Sequence, residues 1–190
     1  MSRARRRIVL LFAAALTVLA LAPAAGAHQR PAGYGATTLA LDPGAGEALT
    51  RLGVTPGVVA PATAEADGLR FPITNSVFSA LFTRQIRHSG GISLTSGPTT
   101  VTLTDFIINL DRRPDLTARI NGGDRASILD LSLRGASLRV HPGVTLGPVT
   151  ATLTAGAAAA LNDAFQVTAF TEGLTLGQAT VSYAFGGRPF

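Results

Sequence analysis

The feature that most constrains this chain is a period-two alternation of apolar and polar residues, interrupted every ten or so residues by turn signals. Leu116, Ala118 and Ile120 alternate with Thr117 and Arg119. Leu129, Leu131 and Leu133 alternate with Asp130, Ser132 and Arg134. Leu138 and Val140 alternate with Arg139 and His141, and Val181, Tyr183 and Phe185 share one parity. Each run presents one face to a core and one to water, as a half-buried strand does. Nine or ten such strands predict a mainly β fold, an antiparallel β-sandwich or partly open barrel.

Two local irregularities refine this expectation. In Thr99 to Leu110 the apolar parity starts with Val101 and Leu103, then switches to Phe106, Ile108 and Leu110. A phase slip inside one strand is the signature of a β-bulge, here near Asp105. Gly90-Gly91 separates two extended runs, Arg84 to Ser89 and Ile92 to Ser96, and predicts a two-residue hairpin turn.

Two short helices are expected to flank the strands. Asp42-Pro43 supplies an N-cap followed by proline at the first helical position. Ala45, Ala48, Leu49 and Leu52 then form one face, and Gly53 closes the helix. Near the other end Thr154 is the cap, with Ala157, Ala160, Leu161 and Phe165 as the face. The two segments align, Leu41 to Leu49 against Leu153 to Leu161, which predicts related units that lie together and cap one fold.

The N-terminus has the three parts of a secretory signal: a basic Arg3 to Arg7, an apolar Ile8 to Ala22, and small residues at Ala25 and Ala27. The apolar run is 15 residues long, short of the roughly 20 that span a bilayer. Residues 1–27 are therefore read as a signal peptide, 28–36 as a flexible leader, and 37–190 as a single domain, in a secreted, cell-surface or envelope protein with no transmembrane segment after cleavage. Removal of Arg3, Arg5, Arg6 and Arg7 lowers the formal net charge from +5 to +1. No basic run survives, so nucleic acid is not an expected partner. The chain has no cysteine, which leaves its core, without disulfides, to hold the fold.

Catalytic signatures are missing: no G-x-S-x-G elbow, no H-E-x-x-H, no P-loop and no G-x-G-x-x-G occurs. Ser89, His88 and Asp105 could be drawn as a triad, but a triad is defined by geometry. The reading is that the chain is not an enzyme. Of the three histidines, His28 lies in the leader and His141 has polar parity. His88 has the parity of Ile86, on the apolar side of its strand, beside the Gly90-Gly91 pair. It is either a strand-end histidine bonded to the backbone or a ligand-binding residue at a pocket.

The segment Arg84-Gln-Ile-Arg-His-Ser-Gly-Gly-Ile-Ser-Leu94, followed by Val101-Thr-Leu-Thr-Asp-Phe-Ile-Ile-Asn-Leu110, resembles the central part of the HtaA domain family. Its members are secreted or surface haem-uptake modules of actinobacteria. The resemblance implies a binding module for haem or another apolar ligand, with His88 carried over as the histidine that supports a tyrosine on iron. The family's N-terminal tryptophan and tyrosine motif is missing, and the chain has no tryptophan. Tyr34 and Tyr183 remain as phenolate candidates, and Tyr183 equally fits a core position. The alternative to a ligand-binding module is a structural or adhesive envelope protein with no small-molecule ligand.

Overall fold

The structure, a computed structural model, describes residues 34–141 and 143–183. The expected signal peptide, most of the expected leader with His28, and the expected strand end at Phe185 lie outside the described residues. Twelve strands and three helices follow in the order β1 (Gly35–Leu41), α1 (Pro43–Arg51), β2 (Thr55–Val59), β3 (Thr63–Glu65), β4 (Gly68–Ile73), α2 (Val77–Thr83), β5 (Gln85–Arg87), β6 (Gly91–Ser96), β7 (Thr99–Asn109), β8 (Asp115–Ile120), β9 (Arg125–Ser132), β10 (Ser137–Val140), β11 (Val144–Leu153), α3 (Ala155–Phe165) and β12 (Thr175–Tyr183).

All pairings are antiparallel, in the order β2-β6-β7-β8-β9-β11-β12-β1-β4-β3, with β5 on β7 and β10 on β11. The sheet curls until β5 meets β4. Ile73 and His88 form a bridge there, flanked by backbone bonds from Thr74 N–H to the Arg87 carbonyl (2.8 Å) and from Ser89 N–H to the Pro72 carbonyl (3.0 Å). The result is a nearly closed antiparallel barrel, within the fold class read from the alternation.

The bulge falls where the phase slip put it: Asp105 has φ +53°, and the register of β7 against β8 shifts between Thr104 and Ile107. Above it, Leu103, Phe106 and Ile108 all face the core. The glycine pair does something other than expected. β5 and β6 do not form a hairpin; both add to the same edge of β7, at different heights. Gly90 turns at φ +81°, where a Cβ would sit 2.5 Å from Ala62 N, and a Cβ on Gly91 would collide with the Leu103 carbonyl. The pair lets the chain step between two positions along one strand at backbone-contact range.

The two expected helices form with the expected caps. Asp42 accepts from Gly44 N–H at 2.9 Å and Thr154 from Ala157 N–H at 3.2 Å. Their units lie together, as their alignment predicts. β1 and β11 flank β12 on either side. Asp42 N–H donates to the Leu176 carbonyl and Leu153 N–H to the Leu174 carbonyl, so α1 and α3 leave the barrel at the same end. On α3 the buried residues are Ala157, Ala158 and Leu161, with Ala160 exposed.

A third helix, α2, sits at the opposite end, after Ile73, which pairs with Gly35 at the start of β1. Two further expectations change. Leu133 ends outside β9 and is exposed. Leu138 and Val140 alternate on β10 but are 64% and 62% exposed, because that strand pairs only with β11 and no layer covers it. Among the described residues no helix is long and apolar enough to cross a membrane.

Candidate functional site

Inward-facing residues of β1, β4, β7, β9 and β12 line a partly open cavity of about 110 Å³, with residues of α1 and α3 in its wall. Its walls are aliphatic and aromatic. Phe71 and Phe106 meet edge to face with centroids 5.1 Å apart. Thr37 and His88 are the two polar residues on the wall among those described.

His88 follows β5 at the barrel seam and points inward because it is paired with Ile73, whose side chain is fully buried. Its backbone N–H donates to the Phe106 carbonyl at 2.9 Å. The same carbonyl lies 3.2 Å from Nδ1, while Nε2 lies 2.7 Å from the Thr37 hydroxyl. The carbonyl can only accept, so Nδ1 carries the proton and donates to it; Thr37 then donates to Nε2. One imidazole thereby ties β5 to β7 and β1. Burial lowers its pKa to about 4, with the bond to the Phe106 carbonyl opposing that shift. At neutral pH the ring is uncharged.

Tyr183, the other candidate, faces the same interior but a different place. His88 pairs with Ile73, Ile73 with Gly35, and Gly35 with Tyr183. Three strand spacings separate the two residues, roughly 14 Å along the sheet. The Tyr183 hydroxyl is buried without a hydrogen-bond partner among the described residues, and burial pushes its pKa up to about 12. Tyr34, immediately before β1, is 52% exposed. The structure therefore does not bring His88 and a tyrosine together.

The drawn triad does not assemble either. Both His88 ring nitrogens are used by Thr37 and Phe106, and the Asp105 carboxylate pairs with Arg119 at 3.5 Å. His141 is exposed, as its parity predicts. The functional residue that sequence reasoning missed is Thr37. Its signal was a hydroxyl at the parity of Leu39 and Leu41, inside an otherwise apolar face.

A nearly closed antiparallel barrel, capped by two helices and carrying a histidine at its seam, defines a compact β-module with an apolar interior. The same fold occurs in the crystal structure of the C-terminal domain of HtaA from Corynebacterium glutamicum, with a TM-score of 0.52, 13% sequence identity, and coverage of 79% of this chain and 97% of that chain. No protein-family model matches the sequence, and no curated protein does.

The haem expectation can be tested on the interior residues, and they do not fit that group. Iron ligation by a tyrosine supported by histidine needs an ionised phenol beside His88. Here the neighbour of His88 is the alcohol of Thr37, and Tyr183 is held neutral elsewhere. A cavity of about 110 Å³ is also well below the roughly 300–1,000 Å³ of sites that enclose a drug-sized molecule.

Proposed function

We propose that the chain is a non-enzymatic binding module of the cell envelope that admits a small apolar molecule to the barrel interior. The observation that carries this reading is the cavity of about 110 Å³ whose one polar feature among the described residues is the His88–Thr37 pair. Apolar cavities near 150 Å³ stay dry and take up benzene or xenon. A few polar groups on an apolar wall fix the orientation of a ligand. The secretory pattern of the N-terminus and the HtaA-like fold support an envelope location.

Thermal melts with benzene or indole test the reading, alongside xenon-129 chemical shifts. A probe at ten times its dissociation constant stabilises by about 1.4 kcal/mol, a rise in Tm of about 3–5 °C. Absence of a shift with every probe sinks it. A haemin titration separates the reading from the haem expectation, for which the spectrum of free haemin is expected. A saturable, shifted Soret band that is lost in His88→Ala would restore haem as the ligand. The second reading is a structural or adhesive module without a ligand. It is favoured by the complete hydrogen bonding of His88, and it gains if all three probes and haemin leave the protein unchanged.

A further inference from the structure

The end of the barrel opposite α1 and α3 carries three large apolar side chains in water. On α2, Phe78 and Leu81 are each 71% exposed and Phe82 is 91% exposed, while Ala80 alone is buried. Single exposed apolar residues are ordinary on soluble proteins. Positions 78, 81 and 82 are related by three and four residues and so share one helix face. Contiguous apolar patches of this kind mark interaction sites.

Cationic side chains stand beside that face. Arg84 caps α2 in the left-handed conformation, and its carbonyl accepts from Leu110 N–H at 2.8 Å. This bond, with the Arg84–Asp111 ion pair at 3.3 Å, holds the loop between β7 and β8 against the helix end. Arg112 and Arg113 project from that loop and are exposed, as is Arg87 on β5. α2 itself carries no charge, and Asp111 is already matched to Arg84.

We propose that this end of the molecule is a docking tip for an anionic lipid bilayer. The apolar face of α2 enters the boundary between headgroups and acyl chains, and Arg87, Arg112 and Arg113 meet the phosphates. The order of chemistry, an uncharged apolar helix with arginines beside it, matches the layering of such a membrane surface. A second copy of the chain fits less well, because a symmetric contact through α2 would bring two sets of arginines together.

The chain has no tryptophan, so Phe82→Trp creates a single emission reporter at the tip. The test uses the chain from residue 28 onward, which contains the whole barrel, with vesicles of phosphatidylglycerol or phosphatidylcholine. Blue-shifted emission and co-flotation are expected with phosphatidylglycerol and not with phosphatidylcholine. In the same background, the pair Arg112→Gln and Arg113→Gln should weaken partitioning roughly 25-fold, at about five-fold per charge. Leu81→Ser should weaken it by about ten-fold or more, with the circular dichroism of the barrel unchanged. The proposal is overturned by failure to float with phosphatidylglycerol, or by equal flotation on both lipids that ignores the arginine changes. A blue shift that grows with protein concentration in the absence of vesicles also overturns it and assigns the face to self-association.

Discussion

His88 and the three apolar side chains of α2 are inversions of the same rule at two ends of a short path through the fold. A polar ring lies inside the barrel, 6% exposed, and two phenylalanines and a leucine lie outside it on the helix that precedes β5. The inside inversion is settled within the chain, since both ring nitrogens have partners and the ring is neutral. The outside inversion has nothing among the described residues to settle it. A buried polar group left unpaired costs about 1–3 kcal/mol of stability, whereas an exposed apolar group leaves the fold nearly as stable and only lowers solubility. Selection on folding alone can therefore explain the His88–Thr37 pair, but not the α2 face.

The largest expected effect is on the inside. His88→Ala removes a packed ring and strands the Thr37 hydroxyl, and should cost about 2–4 kcal/mol in denaturant melts. Replacing both partners, His88→Leu with Thr37→Val, should recover most of that loss, because no buried polar group is then left over. The pH dependence has a definite sign. The folded pKa of His88 is about 4 against 6.5 for the ordinary group, so between those values the unfolded chain binds the extra proton. Its contribution is fully present above about pH 6.5 and falls away as the pH drops towards 4, by about 3 kcal/mol in all. The double variant should lose this part of the slope; if wild type and double variant titrate alike, the ring is not the buried neutral group described here.

The contrast also sets what the amino-acid sequence makes legible. The strands were legible because period two is a local property, and so was the bulge at Asp105, where the parity visibly slips. The caps Asp42 and Thr154 were legible for the same reason, and the likeness of the two end units pointed to their lying at one end of the fold. The seam was not. Gly90-Gly91 looks like a hairpin turn in sequence, yet its glycines serve a close approach to Leu103 and Ala62, which depends on how distant strands stack. Thr37 meets His88 across 51 residues, through a register that neither segment encodes alone. α2 escaped notice because apolar residues occupy 77, 78, 80, 81 and 82, which gives no one-sided stripe of either period. A helix apolar all round normally reads as a buried one, and here only Ala80 is buried.

Tyr183 is intermediate between the two regions: polar, inside, and unpaired among the described residues. Tyr183→Phe deletes a buried hydroxyl that has no partner among the described residues, so it should be neutral or stabilising by up to about 1 kcal/mol. The wild type has its own alkaline signature. The folded phenol, pushed up to about 12 by burial, stays protonated where the unfolded one ionises. Stability from this group is present below about pH 10 and is lost as the pH rises towards 12. A destabilised Tyr183→Phe variant would show that the hydroxyl has found a partner and that the tyrosine belongs with His88 as a satisfied group.

The smallest expected effect on stability is on the outside, and its smallness carries the argument. Phe82→Ser alters a side chain that is 91% exposed and should shift unfolding free energy by less than about 0.5 kcal/mol. The residue is then free of any folding duty, and a change in vesicle binding by the same substitution could not be blamed on a damaged barrel. A loss above about 1 kcal/mol would mean that Phe82 packs against the protein in solution. The helix would then be a folded-down cover rather than an open tip, and the difference between the two inversions would disappear.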